Sequence, residues 1–369
     1  MEDIGVTKEI IHFRRHVHLL QETVISILQK PSETDVRIFG SQSEGSTTTG
    51  MQSDTDTLYS STKRIARIDS HLPYRYASMG CNMSLVIKNV MSLSQCCSLQ
   101  LVKLGDDGKI IPLTVENIKA KIDDQCVLDN QGRALLSNSS ALKKMSSNCE
   151  EWTHELEQHG PAITLHDDTD LVVSINCSSI PADYRALFTA LNQRGHWPKP
   201  ETKIQANKCG LYLMAPGNLS STFTYDPVRS AVIMHVRYVS DYFNSQWRMS
   251  TNMIERLLMF DLNIVQMKTY ILTKIIRIEF LKHIVGDRLS TFYMKTALLF
   301  TVETFPEDIW TKDNLVQCVL FCLIKLRRFL KRRVCPLIQL AVSICFMTNF
   351  KSMNIQRLLP HFQSLLTLN

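Results

Sequence analysis

The apolar pattern of this 369-residue chain changes period near Trp247, and that change limits the possible folds more than any other feature. Before it, from Val36 to about Tyr242, short strand-like runs (84–90, 171–176, 210–214 and 231–239) alternate with turn-forming clusters. After it come segments with helical spacing, 252–260, 265–283, 293–301 and 315–331, broken near Gly286 and Pro306. Ahead of both, residues 4–29 lack Pro and place Ile10, Phe13, Val17, Leu20, Val24 and Ile27 at helical intervals. That spacing predicts a long amphipathic helix whose polar side carries Lys8, Arg14, Arg15, His16 and His18. Strands followed by helices predict an α+β fold. The expected division is a mixed-sheet lobe with its N-terminal helix (1–245) and a helical lobe (246–369), with a cleft between them.

Hydrophobic residues make up 44% of the chain, enough for two packed lobes, and exclude a disordered tail. A formal charge of +6 permits a polyanionic partner without requiring one. The 11 cysteines are scattered without C-x-x-C spacing, and the first residues are acidic with no apolar signal region. A reducing cytoplasm is the expected location. The apolar run 337–347 is too short for a membrane span and reads as a core helix, so no membrane partner is expected. The polar stretch 137–148 reads as a surface loop.

Two short stretches carry the chemistry. The strand-like run ending at Phe39 meets Gly40, so the chain turns there and Ser41 can open the next element with backbone N–H groups directed outward, as suits a triphosphate. Asp54 and Asp56 then sit two apart in a segment that continues Thr57-Leu58-Tyr59, and the strand period of two puts both carboxylates on one face. Asp-x-Asp is also common in exposed turns. A third carboxylate, Asp170, opens the β-branched run 171–175, whose strand could lie beside the first pair; Asp167 and Asp168 compete with it or form a polar loop. Phosphoryl and nucleotidyl transfer need positioning and charge neutralisation by metal ions, and magnesium takes hard oxygen ligands.

In order, the chain presents Gly40-Ser41-x-x-Glu44-Gly45, Asp54-x-Asp56, His159-Gly160-Pro161-Ala162, Asp170-Leu171-Val172 and Cys177-x-x-Ile180-Pro181. There follow His196-Trp197-Pro198, Gln246-Trp247-Arg248-Met249-Ser250 with Glu255, and the segment Ser290-Thr291-Phe292-Tyr293-Met294-Lys295-Thr296 with Trp310. This ordered set, over about residues 36–330, resembles the cyclic GMP-AMP synthase-like (Mab-twenty-one-like) nucleotidyltransferases, especially invertebrate members.

The resemblance implies a polymerase-beta-like nucleotidyltransferase fold and synthesis of a cyclic dinucleotide second messenger in innate immune sensing. It implies ATP, GTP or another nucleoside triphosphate as substrate and double-stranded RNA or DNA as activator. Gly40 and Ser41 would hold the donor triphosphate, and Asp54, Asp56 and Asp170 would bind Mg²⁺ or Mn²⁺. Lys274 would contact phosphate, with Lys268 as the alternative register. Thr291 and Phe292 would stand where the family has a serine and a base-stacking tyrosine, although Phe292 could equally be core packing and Lys295 a helix-surface charge. Lys8, Arg14 and Arg15, with Lys325, Arg327 and Arg328, are candidate nucleic-acid contacts; solvated helix faces are the alternative.

Two departures stand out. Residues 251–270 contain no Cys or His, so the zinc loop of the vertebrate enzyme is not expected, and Cys318 and Cys322 read as buried thiols. The family's C-terminal ending is absent from 334–369. A catalytically silent relative acting as a nucleotide-binding or protein-interaction module, and a linear nucleotidyltransferase acting on RNA ends, are the other readings.

Overall fold

A computed structural model describes residues 1–48, 50, 51, 53, 55–68, 82–87, 96–105, 109–114, 126–139, 156–159, 162–165, 169–178, 180, 196–215, 244–286, 289–332, 335, 336, 344 and 345. The expected strand at 231–239, the family-like Gly160 and Pro161, and Asp54, Asp167 and Asp168 lie outside them.

The strand-like runs form a mixed sheet. Its strands are β1 (Thr34–Phe39), β2 (Thr55–Arg67), β3 (Asn82–Ile87), β4 (Cys96–Leu104), β5 (Ile110–Pro112), β6 (Cys126–Leu128), β7 (Ala134–Leu136), β8 (Leu156–His159), β9 (Ala162–Leu165), β10 (Thr169–Cys177), β11 (Leu211–Met214) and β12 (Gln246–Ser250). The main path runs β1-β2-β3-β4-β12-β11-β10-β9-β8, and β10 also pairs with β2. The sheet therefore curls until β2, next to one end of the path, meets β10, near the other. The long β2 makes this possible: Thr55 to Ser60 run parallel to Thr169 to Ser174 of β10, while Arg64 to Arg67 pair with β3. Between the pairs Ser174↔Ser60 and Asn176↔Ile65 the register shifts, and the extra residues lie on β2, where the strand passes from β10 to β3.

The helices are α1 (Lys8–Leu28), α2 (Ser41–Glu44), α3 (Pro200–Lys208), α4 (Asn252–Asp261), α5 (Ile264–Ile276), α6 (Lys282–Val285), α7 (Thr291–Thr304) and α8 (Leu315–Arg332). Asn263 caps α5 through a reciprocal pair: its side chain accepts from Gln266 N–H while the Gln266 side chain accepts from Asn263 N–H, each at 2.9 Å. A π-turn at Arg277–Leu281 links α5 to α6, and Gly286, at φ 61°, ends that run where the sequence predicted a break. One apolar core joins sheet and helices, from Ile11 and Leu99 through Trp247, Met259 and Tyr270 to Leu326. No helix among the described residues is long and apolar enough to cross a membrane.

Three expectations fail locally. Asn138, placed in a surface loop, is buried and donates from its side chain to the Gln246 carbonyl at 2.7 Å, tying β7 to β12. Ile344 and Cys345, placed in a core helix, pair instead with Cys335–Pro336 as a two-stranded ribbon. The third failure concerns α1. An amphipathic helix turns its apolar side to the core, yet Phe13, Val17, Leu20, Val24 and Ile27 are exposed by 39–68%, while Ile11, Arg15 and Glu22 face inward. Polar anchors explain the reversal. Buried Glu22 accepts from the Ile38 N–H at 2.8 Å, from Arg37 at 2.9 Å and from Arg256 at 2.6 Å. Arg15 donates to the Glu44 carbonyl at 2.9 Å and the Met259 carbonyl at 2.8 Å.

Candidate active site

Strand register assembles the carboxylates. Phe39 of β1 lies opposite Asp56 of β2, Asp56 opposite Asp170 of β10, and Asp170 opposite Thr164 of β9. Residues in one row across neighbouring strands share a face and stand about 5 Å apart. Asp56 and Asp170 are therefore adjacent on one surface, and the Thr164 hydroxyl donates to Asp170 Oδ1 at 2.6 Å. Asp54 lies outside the described residues, among which no group of three or more His, Cys, Asp or Glu gathers. The donor set still suits magnesium: two hard carboxylates held in register on a rigid strand pair.

The Gly-Ser turn follows directly from the same row. Gly40, next to Phe39, has φ 93° and ψ −179°, a conformation that favours glycine, and it lets the chain leave the sheet beside Asp56 and enter α2 at Ser41. Gly45 closes the turn at φ 71°, where an added Cβ would sit 3.0 Å from Ile11 of α1. Ser46 N–H then donates back to the Ser41 carbonyl at 2.9 Å.

Two lysines from the helical half reach this turn. Lys274 of α5, buried, donates from Nζ to Ser41 Oγ at 2.9 Å and to the Ser46 carbonyl at 3.0 Å, and lies 5.4 Å from the centre of the Tyr270 ring. Burial pushes its ammonium down to about 8, against the opposing pull of Glu44. Lys268 is instead paired with Glu2 at 3.1 Å. The second lysine is Lys295 of α7, which meets Glu44 Oε1 at 2.6 Å and Glu255 of α4 at 3.7 Å. Burial would lower the Lys295 ammonium, but the two carboxylates outweigh it and the net shift is upward. Burial pushes the Glu255 carboxyl up, with Lys295 opposing.

No family model and no curated protein matches the chain.

The structure thus brings together Gly40, Ser41 and Lys274 on one side, and Asp56 and Asp170 in the adjoining row. Thr291 opens α7, and Phe292 is half-buried against the main core with its ring edge-on to Tyr293, centroids 6.2 Å apart. Lys295 is no helix-surface charge. The signal was present in the sequence: α7 is apolar on every side, with Tyr293, Met294, Ala297, Leu298 and Leu299 all buried, and such a helix has no solvated face for a lysine. Its partner Glu44 stood inside the Gly-Ser motif.

The candidate nucleic-acid residues separate. Lys8 and Arg328 are exposed, while Arg14, Lys325 and Arg327 are half-buried. Arg14 donates to the Thr47 carbonyl, and Lys325 to the Thr304 hydroxyl at 3.0 Å. Arg15 is 7% exposed and spends its donors on backbone carbonyls of α2 and α4, so it is a structural clamp and cannot contact a duplex. Cys318 and Cys322 are buried, and burial pushes the Cys322 thiol up to about 12, as befits inert core thiols.

Proposed function

We propose that this chain is a metal-dependent nucleotidyltransferase of polymerase-beta-like fold that joins two nucleoside triphosphates into a cyclic dinucleotide, with a double-stranded nucleic acid as activator. The observation that carries the reading is the contact of Lys274 with Ser41 across 233 residues, next to the in-register pair Asp56 and Asp170. A buried ammonium on a glycine-initiated turn, with its neighbouring backbone donors, suits a triphosphate tail. Asp56 and Asp170, with Asp54, would hold Mg²⁺, which neutralises phosphate charge and acidifies a bound hydroxyl.

In this reading Ser41, the turn N–H groups and Lys274 bind and orient the β- and γ-phosphates. The Thr164 hydroxyl fixes one oxygen of Asp170, leaving the other to accept the proton of a ribose hydroxyl. That hydroxyl oxygen bonds to the α-phosphorus of the second nucleotide, the bond from that phosphorus to the bridging oxygen breaks, and pyrophosphate leaves with its electron pair. A second transfer in the opposite sense closes the ring. Retention of Gly40, Ser41, Asp56, Asp170 and Lys274 in contact or in register favours catalysis over a silent binding module, which has no need of all five.

The test is incubation of the purified chain with all four labelled nucleoside triphosphates, Mg²⁺ or Mn²⁺, and double-stranded RNA or DNA, then phosphatase treatment and chromatography, beside Asp56→Asn. A phosphatase-resistant cyclic product from the parent alone is expected. A product that Asp56→Asn still makes refutes the metal assignment, and a linear product replaces the cyclase with an end-adding transferase.

A further inference from the structure

The exposed stripe on α1 has the sequence rules of a coiled coil. Half-buried Ile10 and the exposed Phe13, Val17, Leu20, Val24 and Ile27 alternate by three and four residues, the 3.5-residue period of an a/d repeat rather than the broader face of a helix that packs on a globular body. Taking Ile10 as a, every a position is β-branched (Ile10, Val17, Val24), and the central d position is Leu20, the combination that favours two parallel strands. Counting 100° per residue, the buried residues Ile11, Arg15 and Glu22 centre roughly 170° around the helix from this stripe. The body therefore holds α1 from behind and leaves the stripe pointing away.

We propose that α1 is one half of a parallel two-stranded coiled coil, with a second copy of this chain as the other half. Glu9 falls at g and Arg14 at e of the following heptad, the two positions that meet across a parallel pair, and two-fold symmetry makes that contact twice; one guanidinium nitrogen of Arg14 is held by the Thr47 carbonyl of its own chain, which fixes the side chain beside the stripe. Helix ordering is already complete: α1 has 21 residues, is capped by Thr7, and is fixed by the Glu22 and Arg15 anchors. Isolated helices shorter than about 12–15 residues are marginal in water, and a helix pre-ordered on its own domain avoids that cost on association. The seam is short, so the dimer is concentration-dependent. The inference is independent of the chemistry proposed for the carboxylate row.

Sedimentation equilibrium of the full chain over a concentration series tests it, beside Leu20→Glu, which places like charges face to face at the centre of the seam on a residue that is exposed in the single chain. The expected result is a monomer–dimer equilibrium for the parent, and a monomer at every concentration for Leu20→Glu with the parent's circular dichroism spectrum. Ile27→Cys supplies an orientation test on the otherwise unaltered chain: parallel pairing sets the two residues at position 27 side by side, and mild oxidation should cross-link it well above the parent's background. A parent that stays monomeric throughout, a dimer unaffected by Leu20→Glu, or an Ile27→Cys chain that cross-links no more than the parent would each overturn the proposal.

Discussion

Lys295→Met tests the electrostatic tie between the helices and the Gly-Ser turn. Methionine keeps most of the lysine stem, so packing is little disturbed and the ammonium is what disappears. Left behind are Glu44, with its side chain 5% exposed, and Glu255, at 16%. Removing one partner of a buried pair costs about 3–5 kcal/mol, and because the Lys295 side chain retains 16% exposure the lower end, about 3 kcal/mol, is expected. The pH dependence has a definite sign. Glu255 is already pushed up by burial and loses its cation, so its folded-state pKa rises further above the unfolded one. Stability tied to a raised carboxyl is present below the unfolded pKa and lost as pH rises through the folded value, so the deficit should widen from acid to neutral pH. Equilibrium urea unfolding followed by circular dichroism measures it at both ends. Adding Glu44→Gln should recover a substantial part of the stability, because the double variant no longer buries that uncompensated charge. A cost below about 1 kcal/mol, typical of a solvated surface pair, or strictly additive single and double variants, would refute the reasoning.

Three further outcomes follow from the same geometry. Lys274 is pushed down to about 8 from 10.5, and a triphosphate needs its charged form, so nucleotide affinity should fall as pH rises through about 8; calorimetric titration that finds the parent flat across that value, or Lys274→Met as steep as the parent, removes Lys274 from the site. Burial raises the Glu22 carboxyl, but Arg256, the Ile38 N–H and Arg37 outweigh it and the net shift is downward, so its contribution is present above the unfolded pKa and lost as pH falls through the folded one. Glu22→Gln should therefore cost about 3 kcal/mol at neutral pH and less in acid, as read by thermal or urea unfolding. Lys325→Glu with Arg328→Glu should weaken double-stranded RNA or DNA binding and flatten its salt dependence, by about one unit of slope for every phosphate the chain no longer neutralises; an unchanged slope assigns both residues to a solvated face.

That Asp56 and Asp170 could lie side by side was readable in outline because Asp56 leads into the strand-like Thr57-Leu58-Tyr59 and Asp170 opens a β-branched run, where alternation and turn residues constrain each strand locally. The helix limits after Trp247 were readable for a similar reason: caps and breakers such as Asn263 and Gly286 act within a few residues. What stayed hidden was long-range. Which side of α1 faces inward depends on Arg15 finding carbonyls of α4 some 244 residues away, and no hydrophobic period encodes that bond. The Glu44–Lys295 pair joins residues 251 apart, so nothing in the sequence links the lysine on an apolar helix to the glutamate of the Gly-Ser motif.

The parallel pairing of β2 with β10 has a consequence for how the chain reaches this state. The two strands are joined by a long excursion through β3 to β9, and such non-local parallel pairs form slowly because loop closure must come before the pairing that rewards it. Lys274 then arrives from α5, later still in the chain. The groups assigned to nucleotide handling thus come together only after β10 has paired with β2 and α5 has docked, and a nascent or clipped chain that keeps the entire Gly-Ser and Asp-x-Asp region but ends before α5 would lack the proposed centre. Under the proposed function, activity would therefore be a readout of completed folding.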